Sequence, residues 1–190
     1  GLELKKFDLY QIKTTNKSPI ILWNHRWEYD KNPRSFFECL KKIKSKKIPF
    51  DLVILGEQFD TEMNIFTQAR RDFKKHIIHI GYCDSFKDYA EWLWKADILP
   101  VTTNQEFFGA SVMEAVYCNT IPILPKRLSY PELFQIKKNQ NFFYNDEREL
   151  TEKLINLLIQ HNNNQSLSQY ASIFDWSVIA SKYDQLLSHI

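Results

Sequence analysis

The chain has 190 residues, 44% of them hydrophobic and 25% charged, with a net charge of +2. Those values suit one folded globular unit and exclude a disordered chain, and the charge balance by itself singles out no nucleic-acid or acidic partner. No apolar run approaches the roughly 18 residues of a membrane span.

The opening Gly1-Leu2-Glu3-Leu4-Lys5-Lys6 has neither an initiator Met nor the apolar core of a signal peptide, so residues 1–18 read as a remnant or linker. Pro19-Ile20-Ile21-Leu22-Trp23 then reads as a buried strand. Pro33 suits the first turn of a helix carrying Phe36, Phe37, Leu40 and Ile43 at helical spacing. Asp51 to Leu55 is a second strand ended by Gly56, and a helix spans about Thr61 to Phe73. His76 to Ile80 is a third strand ended by Gly81. Asp84 or Ser85 caps the helix that follows, which holds Tyr89, Trp92 and Leu93.

Asp97 to Val101 is a fourth strand, weakened by Pro100. A helix from Ala110 to Cys118 leads to a fifth strand at Ile121 to Leu124, and a weaker sixth covers Phe142 to Tyr144. Leu150, Leu154, Leu157 and Leu158 stripe a further helix. His161 to Gln165 reads as a polar loop, and residues 163–190 as a helical tail beyond a domain at 19–162. Repeated β-α units with short apolar strands predict an α/β fold, a doubly wound parallel Rossmann-like sheet covered on both faces. Ligands of such sheets bind beyond the carboxyl ends of the strands, where strand order reverses.

Three cysteines, Cys39, Cys83 and Cys118, match neither a disulfide framework nor a zinc ribbon. They read as buried free thiols in a reducing cytosol, hence a cytoplasmic protein. The basic runs Lys41 to Lys47 and Arg70, Arg71, Lys74, Lys75 fall on predicted helices and read as solvated faces. The histidines form no zinc pattern, and there is neither a Walker A sequence nor a nucleophile elbow. No Asp-x-Asp pair is present to hold a divalent cation, so no metal is expected.

Two loops carry candidate chemistry. After the first strand, Arg26 and Lys31 suit a diphosphate, although on spacing alone the interleaved Glu28 and Asp30 favour an ordinary charged loop. After the fourth strand, Glu106-Phe107-Phe108-Gly109-Ala110 brings a glycine to a helix start, where backbone N–H groups and the helix dipole favour anions. Glu114 follows in that helix among Val112, Met113, Ala115 and Val116. A carboxylate so placed needs partners, and sugar hydroxyls are suitable ones.

Taken together, these residues resemble the donor half of a GT-B glycosyltransferase of the retaining family 4 type. Arg26-x4-Lys31 and Glu106-x7-Glu114, with Phe108-Gly109 embedded, match that family's paired motifs, and Pro122 and Pro131-Glu132 fall at similar elements. More narrowly, Trp23 to Lys31, Glu106 to Gly109 and Glu114 to Cys118 are similar to the tRNA-queuosine α-mannosyltransferase family. Asn119 stands where that family has glycine, and His25 where broader family 4 enzymes have one.

The resemblance implies roles for these residues. Arg26 and Lys31 would stabilise the leaving diphosphate, and Glu106 with the N–H groups around Phe108 and Gly109 would hold the donor sugar. Phe107 and Ala110 complete that turn, Glu114 would bind the ribose, and Gly81, Tyr82 and Cys83 would lie beside the base. It also implies GDP-mannose as donor, a tRNA acceptor and an N-terminal GT-B domain that is absent here, so that the fragment alone is inactive. Two alternatives remain open at this point: a UDP-sugar enzyme acting on a glycan or lipid, and a non-catalytic nucleotide-binding module.

Overall fold

Six parallel strands form one sheet in the order β3-β2-β1-β4-β5-β6: β1 (Ile20–Trp23), β2 (Asp51–Leu55), β3 (Ile77–Gly81), β4 (Ile98–Pro100), β5 (Ile121–Pro125) and β6 (Phe143–Tyr144). The structure is a computed structural model that describes residues 1–12, 16–57, 64–160 and 166–188. The expected polar loop at His161 to Gln165 and the start of the expected helix at Thr61 lie outside the described residues. Strand order reverses between β1 and β4, as the doubly wound reading requires.

Around the sheet lie α1 (Pro33–Ser45), α2 (Asn64–Asp72), α3 (Phe86–Lys95), α4 (Ala110–Tyr117), α5 (Tyr130–Leu133), α6 (Glu147–Gln160), α7 (Ser168–Ser172) and α8 (Trp176–Leu187). Side-chain alternation along each strand divides the core in two. Ile20, Leu22, Val53, Leu99 and Leu124 face α3, α4 and α7, whereas Ile21, Trp23, Leu52, Ile98 and Ile123 face α1, α2 and α6. Both faces are covered, which explains why the strands read as unbroken apolar runs.

Local signals set the helix starts. Pro33 opens α1 behind Asn32, whose side chain accepts from the Ser35 N–H at 3.4 Å. Ser85 caps α3 by accepting from the Asp88 N–H at 3.1 Å. Pro100 has no N–H to donate and β4 ends on it, with only Ile21↔Ile98 registered between β1 and β4. The two central strands thus stop pairing early, and the loops that follow them stay in contact beyond the sheet, where the Asn104 N–H donates to the Asp30 carbonyl at 2.7 Å.

The opening residues, expected to be a linker, are built into the fold. Lys5–Tyr10 form a 3-10 turn, and Leu4 and Phe7 are fully buried. Phe7 packs edge-on against Phe86 with ring centroids 4.9 Å apart. Asp175 fixes this segment from the far end of the chain: its Oδ2 accepts from the Leu4 N–H at 2.9 Å, while its Oδ1 caps α8 through the Ser177 N–H at 2.9 Å. The tail helix α8 buries none of its side chains. Cys39 and Cys118 are buried as expected, whereas Cys83 is only half-buried, and all three are free thiols.

Candidate functional site

A cleft of about 600 Å³ opens at the carboxyl ends of β1, β2 and β3. That volume is in the range of small-molecule sites. Arg26, Tyr82, Cys83 and Tyr89 line it together with Asn24 and His25. Gly81 ends β3 at φ +139°, a conformation that side chains disfavour, and so turns the chain into the cleft wall. Burial raises the Cys83 thiol above its usual value, with Asp88 and Asp84 adding to the effect, so it stays protonated near neutral pH.

The two cations expected to share a role sit in different settings. Arg26 is exposed and pairs with Glu28 at 3.1 Å. Lys31 is 7% exposed. Its ammonium contacts Asp30 at 3.0 Å, Glu106 at 3.2 Å and the Gln105 carbonyl at 3.1 Å. Both pairings suggested by the interleaved acids are therefore present. Lys31 also acts as a tie between the loops after β1 and β4, whereas the exposed Arg26 lines the cleft.

Glu106 lies beside the start of α4. Burial by itself would raise its carboxyl, but the Lys31 charge and hydrogen bond and the N–H groups of Gly109 and Phe107 outweigh that and hold it below the usual carboxylate range. Gly109 precedes α4 at φ +75°, and a Cβ there would stand 3.1 Å from Tyr130 Cε1. Only glycine takes this turn without strain, and the turn leaves the first N–H groups of α4 open. Ala110 is exposed at that helix start. Phe107 projects into solvent at 98% exposure, while Phe108 packs edge-on against Phe174 at 5.2 Å.

Glu114 sits one turn into α4, half-buried among apolar neighbours. Its partner is the Tyr89 hydroxyl, which donates to Oε2 at 2.7 Å. Burial raises the Glu114 carboxyl, against the lowering effect of the Tyr89 hydrogen bond and the Lys6 charge. Since Tyr89 lines the cleft, Glu114 is linked to the wall that holds Tyr82 and Cys83. Glu106 and Lys31 meet on the other side, at the turn before α4.

Sequence reasoning passed over three neighbours. His25 is buried and held neutral, its pKa lowered to about 4 by burial first and the Lys31 charge next, with Glu106 and Asp30 opposing. Its Nδ1 lies 3.3 Å from Ser111 Oγ, and Asn24 Nδ2 donates to the Ser111 carbonyl at 2.7 Å. The only signal for them is the polar pair Asn24-His25 ending an apolar strand. The third, Tyr89, looked like a core residue of its helix. Asn119, in the family's glycine position, takes φ +67° and accepts from the Leu167 N–H through Oδ1 at 2.9 Å. Asn tolerates that left-handed conformation and adds a bond glycine could not make.

Among the described residues, no cluster of three His, Cys, Asp or Glu is placed to hold a metal, and no helix is long and apolar enough to cross a membrane.

Comparison with known proteins gives a consistent setting for this geometry. The family described as glycosyl transferases group 1 matches residues 5–173. Over 136 residues the chain is 32% identical to tRNA-queuosine alpha-mannosyltransferase of Drosophila melanogaster, covering 72% of this chain and 35% of that protein. The chain thus spans about a third of that curated relative's length. Among solved structures, sucrose-phosphate synthase of Thermosynechococcus elongatus superposes with a TM-score of 0.77 at 18% identity, covering 100% of this chain and 51% of that one. The C-terminal domain of the group 1 glycosyl transferase LpcC of Francisella tularensis superposes at 0.70 with 19% identity, covering 96% and 98%. Those structural likenesses place the fold as the C-terminal half of a GT-B architecture.

Proposed function

The chain belongs to the group 1 glycosyl transferases, and from that premise we propose that it is the donor lobe of a retaining enzyme that takes mannose from GDP-mannose and, in its full-length form, joins it to the queuosine of a tRNA. The observation that carries this reading is the grouping around one glycine turn: Gly109 opens the N–H groups of α4, Glu106 and Lys31 stand on one side, and Glu114 with Tyr89 on the other. The 32% identity to the fly tRNA-queuosine alpha-mannosyltransferase supports the choice of sugar and acceptor.

In this reading the bond between the sugar's anomeric carbon and the diphosphate oxygen breaks, the electron pair leaves with GDP, and an acceptor hydroxyl bonds to the same face of that carbon while its proton passes to the departing diphosphate oxygen. Arg26 and the N–H groups of α4 stabilise the departing charge. Lys31 contributes its charge from behind while it holds Glu106 ionised and aimed at the sugar hydroxyls. Glu114 accepts from the ribose hydroxyls, and Tyr82 flanks the base. No protein nucleophile is assigned. Transfer also needs the acceptor held within reacting distance, a contribution of about 7–11 kcal/mol to lowering the barrier, and the other lobe supplies that hold.

Two measurements test the proposal. Calorimetry on this chain should find GDP bound in preference to UDP, with affinity unchanged by a chelator. Radiolabelled GDP-mannose should label queuosine-containing tRNA with the full-length protein and leave it unlabelled with this chain alone. Equal affinity for UDP would move the reading to a UDP-sugar enzyme, and labelling by this chain alone would place the acceptor site here.

A further inference from the structure

The two basic runs that read as separate solvated faces converge in space. Residues 41–47 and 70–75 carry nine Lys and Arg and one acid, Asp72, in a chain of net charge +2, so the rest of the sequence is net acidic. Lys44 donates across to the Asp72 carbonyl, and Lys41 pairs with Asp72 at 3.7 Å and with Glu38 at 2.9 Å. Lys42, Lys46, Lys47, Lys74 and Lys75 are exposed and have no acidic partner among the described residues. The carboxyl ends of α1 and α2 favour a cation or two each, not a cluster of this size. Such crowding repels itself until an anion arrives.

A groove of about 460 Å³ runs from this cluster between α1 and α2 toward the candidate donor site. Lys41 lines its near end between its partners Glu38 and Asp72, with the unpaired lysines of the cluster beyond it; Gln68 and Arg34 line its course, and Tyr29 and Asn104 close the far end. Tyr29 is 86% exposed, two residues before the buried Lys31. α1 connects the two ends: it begins just after Lys31 and its 13 residues rise about 20 Å. That length admits several consecutive backbone phosphates.

We propose that this groove and its basic end form a track for an RNA backbone, with Tyr29 as the stacking platform that meets an unpaired base where the track reaches the donor site. Lysines without fixed partners suit phosphates contacted for charge, and an exposed aromatic ring suits a splayed base. A lipid surface fits less well. Among the described residues of the cluster no large apolar side chain is exposed to enter a bilayer. The proposal rests on the reading of a tRNA acceptor and adds where that RNA lies.

The test is fluorescence anisotropy with a labelled tRNA transcript that lacks queuosine, between about 50 and 200 mM salt. The variant K46Q/K47Q/K74Q/K75Q should bind about tenfold or more weakly, with a salt slope shallower by about three. Its GDP affinity and circular dichroism should stay unchanged. Removing equal charge at Lys137, Lys138, Arg148 and Lys182 should have little effect. Tyr29→Ala should weaken binding of a single-stranded oligonucleotide several-fold, and Tyr29→Trp should restore it. Equal losses in the two charge variants, or binding to phosphatidylserine vesicles with none to tRNA, would overturn the track. Because the probe lacks queuosine, loss of binding in the first variant supports the track even where no mannose is transferred. Mannosylation undiminished beside unchanged binding refutes the track alone.

Discussion

The Tyr89 hydroxyl donates to Glu114 Oε2 at 2.7 Å, a contact 25 residues apart in sequence that joins α3 to α4 across one end of the sheet. It gives a half-buried carboxylate one fixed donor, on Oε2. Tyr89→Phe removes only that hydroxyl. The loss should cost about 1–3 kcal/mol of nucleotide affinity, because a charged acceptor loses its partner and its aim. Calorimetry with GDP and with guanosine should show similar losses, since the ribose is common to both.

Glu114→Gln should separate stability from binding. Burial raises the carboxyl in the fold above its unfolded value of 4.5. The native state therefore binds more protons in the window just above 4.5, and its stability falls as pH rises through that window. The amide carries no such penalty and still accepts from Tyr89. The variant should melt at or above the wild-type temperature near neutral pH, with the gap closing toward pH 4.5, while it binds GDP more weakly. A fall in both quantities would show that Glu114 has a structural role instead.

Glu106→Gln should give the opposite pH signature. The folded carboxyl lies below its unfolded value of 4.5, so its stabilisation is present above that value and is lost as pH falls through the folded one. The variant should be less stable than wild type at neutral pH and converge with it in acid. It should spare GDP and weaken GDP-mannose, since the sugar is the part it would hold. Equal loss of both ligands would reject this division of roles.

Arg26 and Lys31 should separate in the same spirit. Arg26→Ala removes an exposed side chain, so urea unfolding should move by no more than about 0.5 kcal/mol. GDP binding should fall by about 1.5–3 kcal/mol, and guanosine binding should not change. Lys31→Met leaves the half-buried Asp30 and Glu106 without their shared cation and should cost about 1–3 kcal/mol of stability before any ligand is added.

Gly109→Ala forces a side chain into φ +75° and brings its Cβ within 3.1 Å of the Tyr130 ring. The strain of about 1–2 kcal/mol should lower the melting temperature and shift the N–H groups of α4. Both the melting temperature and the GDP affinity should fall, and an unchanged affinity would remove those N–H groups from the site.

The parts of this molecule that could be read from its sequence are those written locally. Ile20 to Trp23 and Leu52 to Leu55 are apolar throughout because both sheet faces are covered, and Glu106 to Glu114 keeps its spacing because a turn and a helix fix it. What stayed hidden depends on distant partners. Leu4 and Phe7 sit among charged residues without any period, and only Asp175 and the rings of α3 and α4 make them core. Tyr89 is an ordinary helix residue until α4 is laid against α3. Lys31 looked like a free charge because its sequence neighbours are polar, yet its burial comes from the loop after β4, more than seventy residues on.

The Asp175 contact to Leu4 closes a loop of 171 residues. Loop-closure entropy makes such a contact a poor early event, while the β-α units between its ends each close over short distances. The opening segment is therefore expected to join last, onto α3 and α4 already in place, with its contacts absent from the rate-limiting barrier. Asp175→Ala should leave the refolding rate almost unchanged and speed unfolding by nearly the whole loss in stability. On that expectation the lifetime of the folded lobe is governed at the seam between Leu4 and Asp175, while its speed of assembly is set in the sheet.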